Sequence, residues 1–388
     1  MRYNLWGRTV RIGLITHNYP ASRDDRQNAG IFVYDLAHAL KSMGHEVFVL
    51  CPDTGFSKET NGVSVTWFPW AGRGKKLGDL RLFNPADLIL FLNLLFAGSQ
   101  ETKRFCQQNR IDFVVGMWAF PAGVFALWVR RVLGIPYCLW ALGSDIYTYA
   151  KYPILGSIIK LALKNANFLV ADGIDLARCV EKLSGKECRF LPSASRLPTE
   201  AGRPIRHGPI KFVYLGRMEP VKGPDILISA VCAIKDLDFK LHLLGDGSLL
   251  PSLKKKIRQM GLEEKVIFMG KVGSPKVIYE ELSSSDWLVI PSRSDSIPLV
   301  FSEGAKAGVP LIVAQVGDMV ELVRKYKVGL SFPKEDAKRL TEILKDVLSR
   351  GRKATQIYEK GLQKLASLFD IDSSAKKLLS MIEAKTDD

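Results

Sequence analysis

An α/β architecture of two domains, each a parallel sheet wrapped by helices, is what the chain encodes, and three observations say so. Its 388 residues exceed the roughly 250–300 at which one hydrophobic core stops growing. Short apolar runs alternate with stretches of helical spacing along most of the length, the pattern of parallel strands joined by helical crossovers. The alternation breaks near residue 200, at "PSASRLPTEAGRPIRHGP" (192–209), where prolines, glycines and small polar residues gather as they do in a linker.

Taken in order, the first half offers strands at "RIGLIT" (11–16), "EVFVL" (46–50), "DFVVGM" (112–117) and "PYCLWAL" (136–142). Between the first two, "IFVYDLAHALKSMGH" (31–45) repeats apolar residues at helical spacing and stops at Gly44, a glycine helix end. "RGKKLGDLRLFNPADLILFLNLLF" (73–96) begins basic, with Lys75 and Lys76, then starts a helix with Asn84 as N-cap and Pro85 in the first turn. Its broad apolar surface suits either packing on the sheet or docking on anionic lipid. The same two readings stand open for the helix of "YPILGSIIKLALKNA" (152–166). After the linker a second series runs through "IKFVYLG" (210–216), "KLHLLG" (240–245), "KVIFMG" (265–270), "DWLVIPS" (286–292) and "VPLIVAQ" (309–315). In open parallel sheets ligands sit outside the carboxyl ends of the strands, so the loops that follow are where function belongs.

Composition removes several classes. The apolar share of 47% and charged share of 24%, with no low-complexity tract, describe a globular chain. Six cysteines show no CxxC pair and the histidines no cluster, so neither a zinc site nor a disulfide framework is expected, and a reducing cytosol fits. "MRYNLWGRTVRIGLITH" lacks the continuous apolar region of a signal peptide, and "LILFLNLLFAG" (88–98) is far shorter than the roughly 20 residues of a membrane span. The net charge of +15 points to a phosphate-rich partner. Because the excess spreads over both halves and no nucleic-acid-binding motif appears, nucleic acid is excluded as that partner. The triplets Asp236-Leu237-Asp238 and Asp370-Ile371-Asp372 read as solvated surface rather than metal ligands, and no metal is expected.

Two stretches carry chemistry. "YLGRMEPVKGPDILISA" (214–230) joins a strand end, Gly216, the cations Arg217 and Lys222, and a helix start near Pro224. A bare backbone, two positive charges and a helix N-terminus together suit a diphosphate. "PSRSDSIPLVFSEGAKAG" (291–308) sets Asp295 and Glu303 eight residues apart across an apolar run.

With "LLGDGS" (243–248), "VIFMGKV" (266–272) and "VIPSRSDSIPLVFSEGAKAGVPLIVA" (289–314), these segments resemble, in order and spacing, the donor domain of the retaining glycosyltransferases of family 4. The resemblance covers about 330 residues, more strongly in the second half. It implies two Rossmann-like β/α/β domains facing across a cleft, the GT-B fold. Residues 1–199 would bind the acceptor and residues 200–370 the nucleotide-sugar donor, with a C-terminal helix over 371–388 directed back toward the first. Glu303 would accept two hydrogen bonds from the ribose diol, since an ionised carboxylate only accepts. Its place near a helix start would favour the charge. Ile297, Pro298, Leu299 and Val300 would turn backbone toward the diphosphate, and Lys271 and Val272 would border the base. Asp295, one methylene shorter than the family's usual glutamate, would face the transferred sugar; the alternative is a loop cap bonding its own backbone. On the acceptor side the resemblance points to Gly30, Trp118, Gly143, Ser144 and Asp145. Asp145 reads equally as a catalytic acid or a helix N-cap. Three departures stand out: Ala29-Gly30 in place of a glycine pair, Leu142 where many members carry histidine, and "LPSASRLP" (191–198) in place of an Asn-Gly segment.

The implied reaction moves a sugar, with retention, from a UDP- or GDP-linked donor to a hydroxyl of a glycan or lipid-linked acceptor in cell-surface polysaccharide biosynthesis. No cofactor beyond that co-substrate is implied. Arg217, Lys222, Asp295 and Asp145 would form the catalytic set, the two cations holding the charge that grows on the leaving diphosphate. The expected location is the cytoplasm, with weak attachment to the inner face of the plasma membrane. Two other readings remain at this stage: a nucleotide-sugar-binding protein of the same fold whose transfer is impaired, as Leu142 and Asp295 suggest, and a nucleotide-sugar epimerase.

Overall fold

A computed structural model describes residues 9–20, 30–53, 62–73, 75, 77, 80, 84–194, 196–198 and 204–386. Ala29, Lys76 and the expected 199/200 boundary lie outside these residues. The chain divides into two compact units, Met1–Ser193 together with Ile371–Asp388, and Ala194–Asp370.

In the first unit seven strands form one sheet: β1 (Arg11–Ile15), β2 (Glu46–Pro52), β3 (Ser64–Phe68), β4 (Phe113–Met117), β5 (Tyr137–Ala141), β6 (Phe168–Ala171) and β7 (Cys188–Phe190). All neighbours are parallel, in the order β3-β2-β1-β4-β5-β6-β7. The second unit holds β8 (Ile210–Leu215), β9 (Phe239–Leu244), β10 (Val266–Gly270), β11 (Trp287–Ile290), β12 (Leu311–Ala314) and β13 (Gly329–Phe332), ordered β10-β9-β8-β11-β12-β13 and again parallel. Each sheet therefore grows outward to one side for three strands and then reverses, between β1 and β4 in one and between β8 and β11 in the other. β4 and β5 are buried at every residue, as both faces of a helix-covered parallel sheet must be.

Four of the thirteen strands among the described residues lie outside the sequence reading. β3 is a half-exposed edge strand, β7 has three residues, and β6 and β13 have four each. Runs of three or four residues are ambiguous by periodicity alone, although β11 and β12, also of four residues, are legible within longer apolar runs. The first helix spans Ile31–Ser42, and Gly44 follows at a φ of 94°. The long helix starts as its sequence dictates: Asn84 accepts a hydrogen bond from the Ala86 N–H, Pro85 opens the first turn, and the helix runs to Gln108. No helix among the described residues is long and apolar enough to cross a membrane. The last helix, Ile371–Thr386, packs on the Ile31–Ser42 helix within the first unit. It does so through a stripe of Ile371, Ala375, Leu378, Leu379 and Ile382 at helical spacing. The triplet at 370–372 is thus not plain surface: Ile371 is buried, and Asp370 and Asp372 are half-buried, whereas Asp236 and Asp238 are exposed.

One buried charge ties the second unit together at the start of β11. Asp286 is fully buried and accepts from the Lys211 N–H (2.9 Å), Arg206 (3.0 Å) and Arg352 (3.0 Å). Arg352 also donates to the carbonyls of Gly208 and Pro209, so one carboxylate anchors the chain entering β8 and the region after the Ala337–Arg350 helix. Removing one member of a buried ionic cluster strands the others, typically at about 3–5 kcal/mol. Asp286→Ala should therefore destabilise the second unit by about that much, read as faster amide exchange in β8 and β11 with first-unit amides unchanged. Unaltered exchange in β8 would refute this account of the anchor.

Candidate functional site

The reversal between β8 and β11 leaves their carboxyl ends side by side, and the predicted donor residues follow those ends. Gly216 donates to the Leu244 carbonyl, Met218 N–H to Asp246, and the Tyr214 hydroxyl to the Arg217 carbonyl (2.8 Å). The loop after β9 lies directly on this turn. A Cβ on Gly245 (φ 141°) would stand 1.9 Å from the Gly216 oxygen, and one on Gly247 (φ 155°) 2.7 Å from the Met218 oxygen. Only glycine permits such contact at such angles. Ser248 completes the lock, donating through N–H and hydroxyl to Glu219 and holding that carboxyl below its ordinary range.

The β11 loop is pinned by a residue to which the sequence reading gave no role. Arg293 donates both η nitrogens to Asp225 (2.8 and 2.7 Å), one of them also to the Pro220 carbonyl (2.6 Å), and its ε nitrogen to Glu335 (2.8 Å). These bonds raise the arginine's pKa and lower that of Asp225. Its own N–H bonds the Val221 carbonyl, and Gly223 (φ 66°) lets the chain pass where a Cβ would meet the Pro291 oxygen at 2.0 Å. Two residues beyond Arg293, Asp295 meets Lys222: Nζ lies 2.6 Å from Oδ1 and 2.8 Å from Oδ2, with both side chains largely buried. Asp295 therefore does not cap its own loop. Lys222 carries a partner, while Arg217 is exposed and makes no ion pair among the described residues. Behind Asp295, Gly317 (φ 54°) approaches so closely that a Cβ would lie 2.2 Å from the Asp295 carbonyl oxygen.

Glu303 is buried, in the second turn of the Leu299–Lys306 helix. This corrects the expectation of a helix-start position, because the favourable dipole effect fades within the first turn. Ile297 is buried and Leu299 and Val300 half-buried. Pro298, with no N–H to offer, precedes a first turn whose Leu299 and Val300 N–H groups meet no side-chain cap among the described residues. Lys271 (exposed) and Val272 follow β10 at the sheet edge, two strand spacings, about 10 Å, from β8. The structure thus joins Lys222 and Asp295 directly, keeps Gly216 and Arg217 on the turn that Tyr214 holds, and sets Lys271 and Val272 to one side.

In the first unit the reversal lies between β1 and β4. Gly30 heads the Ile31–Ser42 helix, and a Cβ there would strike the Asn18 carbonyl oxygen at 2.3 Å. Trp118 sits just past β4 at a φ of 67°, which is costly for a large side chain. Its ring rests on His17 (centroids 4.5 Å apart), just past β1. Gly143 (φ 110°) is the N-cap of the short helix Ser144–Tyr147, so Asp145 is not that cap; Ser144 is exposed. Asp145 is fully buried and accepts from the Ala119 N–H (2.6 Å) and the Leu142 N–H (3.3 Å), tying the loops after β4 and β5 together. Burial raises its pKa to about 6, against the pull of those backbone hydrogen bonds.

His17 escaped the sequence reading, although "THNYP" follows β1 directly and strand-end reasoning reaches it. Its Nδ1 is sealed from solvent without a hydrogen-bond partner among the described residues, and desolvation lowers its pKa to about 4. A neutral imidazole beside a tryptophan face can accept or donate a hydrogen bond without adding charge.

Comparison with known proteins matches the two units separately. A family model described as Glycosyl transferases group 1 matches residues 198–364, and one described as Glycosyl transferase 4-like domain matches residues 29–182. A Bacillus subtilis protein provisionally named as the teichuronic acid biosynthesis glycosyltransferase TuaC is 26% identical, with 95% of this chain and 97% of that protein aligned. Among solved structures, a sucrose-phosphate synthase of Thermosynechococcus elongatus superposes with a TM-score of 0.77 at 17% identity, over 97% of this chain and 98% of that one. Anabaena HepE in complex with UDP and glucose superposes with a TM-score of 0.72 at 13% identity, over 97% and 100%. At these identities the superpositions establish fold.

His17 and Asp145 pull stability in opposite directions with pH. The histidine's pKa falls from 6.5 to about 4 on folding, so its contribution is present above 6.5 and is lost as pH drops toward 4. The aspartate's pKa rises from 3.8 to about 6, so its contribution is present below 3.8 and is lost as pH rises through 6. His17→Gln should accordingly gain stability relative to the parent as pH is lowered across the histidine window, measured by denaturation at several pH values. In the parent, the His17 ring resonance should stay flat from pH 8 to about 5. A midpoint near the ordinary histidine value would contradict the burial.

Proposed function

The chain belongs to the glycosyl transferases group 1 family and has its two-domain GT-B fold, and on that premise we propose the transfer of a sugar, with retention and without a metal, from a UDP- or GDP-linked donor to a hydroxyl of a glycan or lipid-linked acceptor. The setting is cell-surface polysaccharide biosynthesis on the cytoplasmic side. The teichuronic acid name of the Bacillus subtilis relative supports the glycan class, and the UDP and glucose of the HepE complex support the donor class.

The observation that carries the reading is the Lys222–Asp295 pair, with the exposed Arg217 on the same turn after β8. In the resting chain the carboxylate neutralises the lysine. An arriving diphosphate, with more charge and more acceptor oxygens, takes the lysine over and frees Asp295 for the hydroxyls of the sugar to be moved. Arg217 and Lys222 then face the oxygen on which charge grows as its bond to the anomeric carbon breaks, the place where preorganised cations lower a barrier. The acceptor oxygen bonds that carbon from the same face, and its proton leaves with the diphosphate. Glu303 holds the ribose diol, the N–H groups of Leu299 and Val300 meet phosphate oxygens, and Lys271 and Val272 border the base. Gly30, Trp118, Gly143 and Ser144 serve the acceptor side, with Asp145 fixing the loops that carry them. The reading in which transfer is impaired draws on the same pair, since a short carboxylate held by lysine is a poor sugar ligand.

Thermal shift with UDP, GDP and their sugars tests the donor site. The matching nucleotide should raise the melting temperature of the parent as binding to the folded state requires, and Glu303→Ala should lose most of that rise. Stabilisation of neither protein by any nucleotide would remove the donor-site reading. Asp295→Asn should bind the bare nucleoside diphosphate roughly three- to tenfold more tightly, because its lysine is no longer neutralised, while sugar release from the donor falls. Tighter binding by the variant with no donor consumed by the parent would select the impaired-transfer reading.

A further inference from the structure

In the first unit the large apolar side chains left exposed among the described residues all lie on three helices, whereas those of the second unit, such as Ile205 and Ile357, are scattered along its sequence. On Pro85–Gln108, the residues Leu88, Ile89, Leu92 and Phe96 (70% exposed) lie within one stripe, at i, i+1, i+4 and i+8. The opposite stripe of the same helix, Phe91, Leu94, Gly98 and Phe105, is buried. The packing reading of this helix thus holds for its buried side, and an apolar stripe stays exposed on the other. The neighbouring helix Ala122–Leu133 exposes Trp128 and Val132, and Pro153–Asn165, packed on it in turn, exposes Ile154 (77%) and Leu161. Close packing brings the row together: a Cβ on Gly98 would meet the Phe125 ring at 2.3 Å. Scattered single apolar residues are ordinary on a surface, but a row across adjacent helices marks an interaction site.

Charge identifies the partner. Ala122–Leu133 and Pro153–Asn165 contain no acidic residue, yet carry Arg130, Arg131, Lys160 and Lys164. Arg131, Lys160 and Lys164 are exposed, and Lys160 and Lys164 flank Leu161 on its helix. On the long helix the acids are already matched, Asp87 by Lys75 and Glu101 by Arg104. From this arrangement we propose that the outer face of these three helices docks on the surface of an anionic lipid bilayer. The apolar side chains enter the headgroup boundary and the lysines and arginines meet lipid phosphate. A second copy of the chain is a poorer occupant, because a symmetric contact would set the same cations against themselves. The proposal rests on this surface alone and stands or falls separately from the sugar-transfer reading.

The test is co-sedimentation of the full chain with phosphatidylcholine vesicles, with and without phosphatidylglycerol. Binding is expected only to the mixed vesicles and should weaken as salt rises. Lys160→Gln with Lys164→Gln should reduce it roughly tenfold or more. Phe96→Ser should reduce it at every salt concentration, since its contribution is apolar. An unchanged melting temperature and far-ultraviolet circular dichroism spectrum in each variant show that the fold is intact. Three results would overturn the proposal: equal binding to neutral vesicles, binding indifferent to Phe96, or a concentration-dependent dimer in solution that Phe96→Ser dissociates. The last would assign the face to a second copy.

Discussion

A parallel sheet cannot turn back on itself with a hairpin; every strand must be reached by a crossover of fixed hand. That constraint shapes both units here. Each lays three strands to one side and then returns past its first strand to continue on the other, so the helices diverge to opposite faces at the reversal. The opening at the carboxyl ends of β8 and β11 in one unit, and of β1 and β4 in the other, is created by connectivity before any side chain acts. Lys222 with Asp295, and His17 with Trp118, stand at those two places.

Connectivity makes the opening, but close backbone contact makes it stiff. Gly245, Gly247, Gly223 and Gly317 each let one loop touch the backbone of another at distances no other residue allows. Arg293 and Asp145 do by hydrogen bonding what the glycines do by absence, each fixing loops that follow different strands. A site assembled from strand-end loops needs this support, since loops are otherwise the least constrained parts of a chain.

The sequence was most legible where physics is local. Asn84 and Pro85 announce a helix start by themselves, and the apolar runs of β1, β4, β5 and β8 announce strands because both faces of these sheets are buried. The turn after β8, with Gly216, Arg217 and Lys222, could be read as suited to a diphosphate, and "LLGDGS" as part of a family pattern. What escaped depends on partners distant in sequence: Arg293 acquires its role from Asp225 and Glu335, and Asp145, though singled out, acquires its tie between loops from Ala119. β3 escaped because an edge strand half in water lacks a continuous apolar signal. Glu303 was placed one turn too early because helix boundaries are the least certain part of any sequence reading.

The return of the last helix to the Ile31–Ser42 helix has a consequence for synthesis. Residues 194–370 form a continuous segment, complete once they have left the ribosome, whereas the first unit waits for Ile371–Thr386 to cover an apolar face on its opening helix. Domains usually finish in the order in which they are made. In this chain the second unit can be finished while the first is still open, so loss of the final helix in a truncated product injures the half that was translated first.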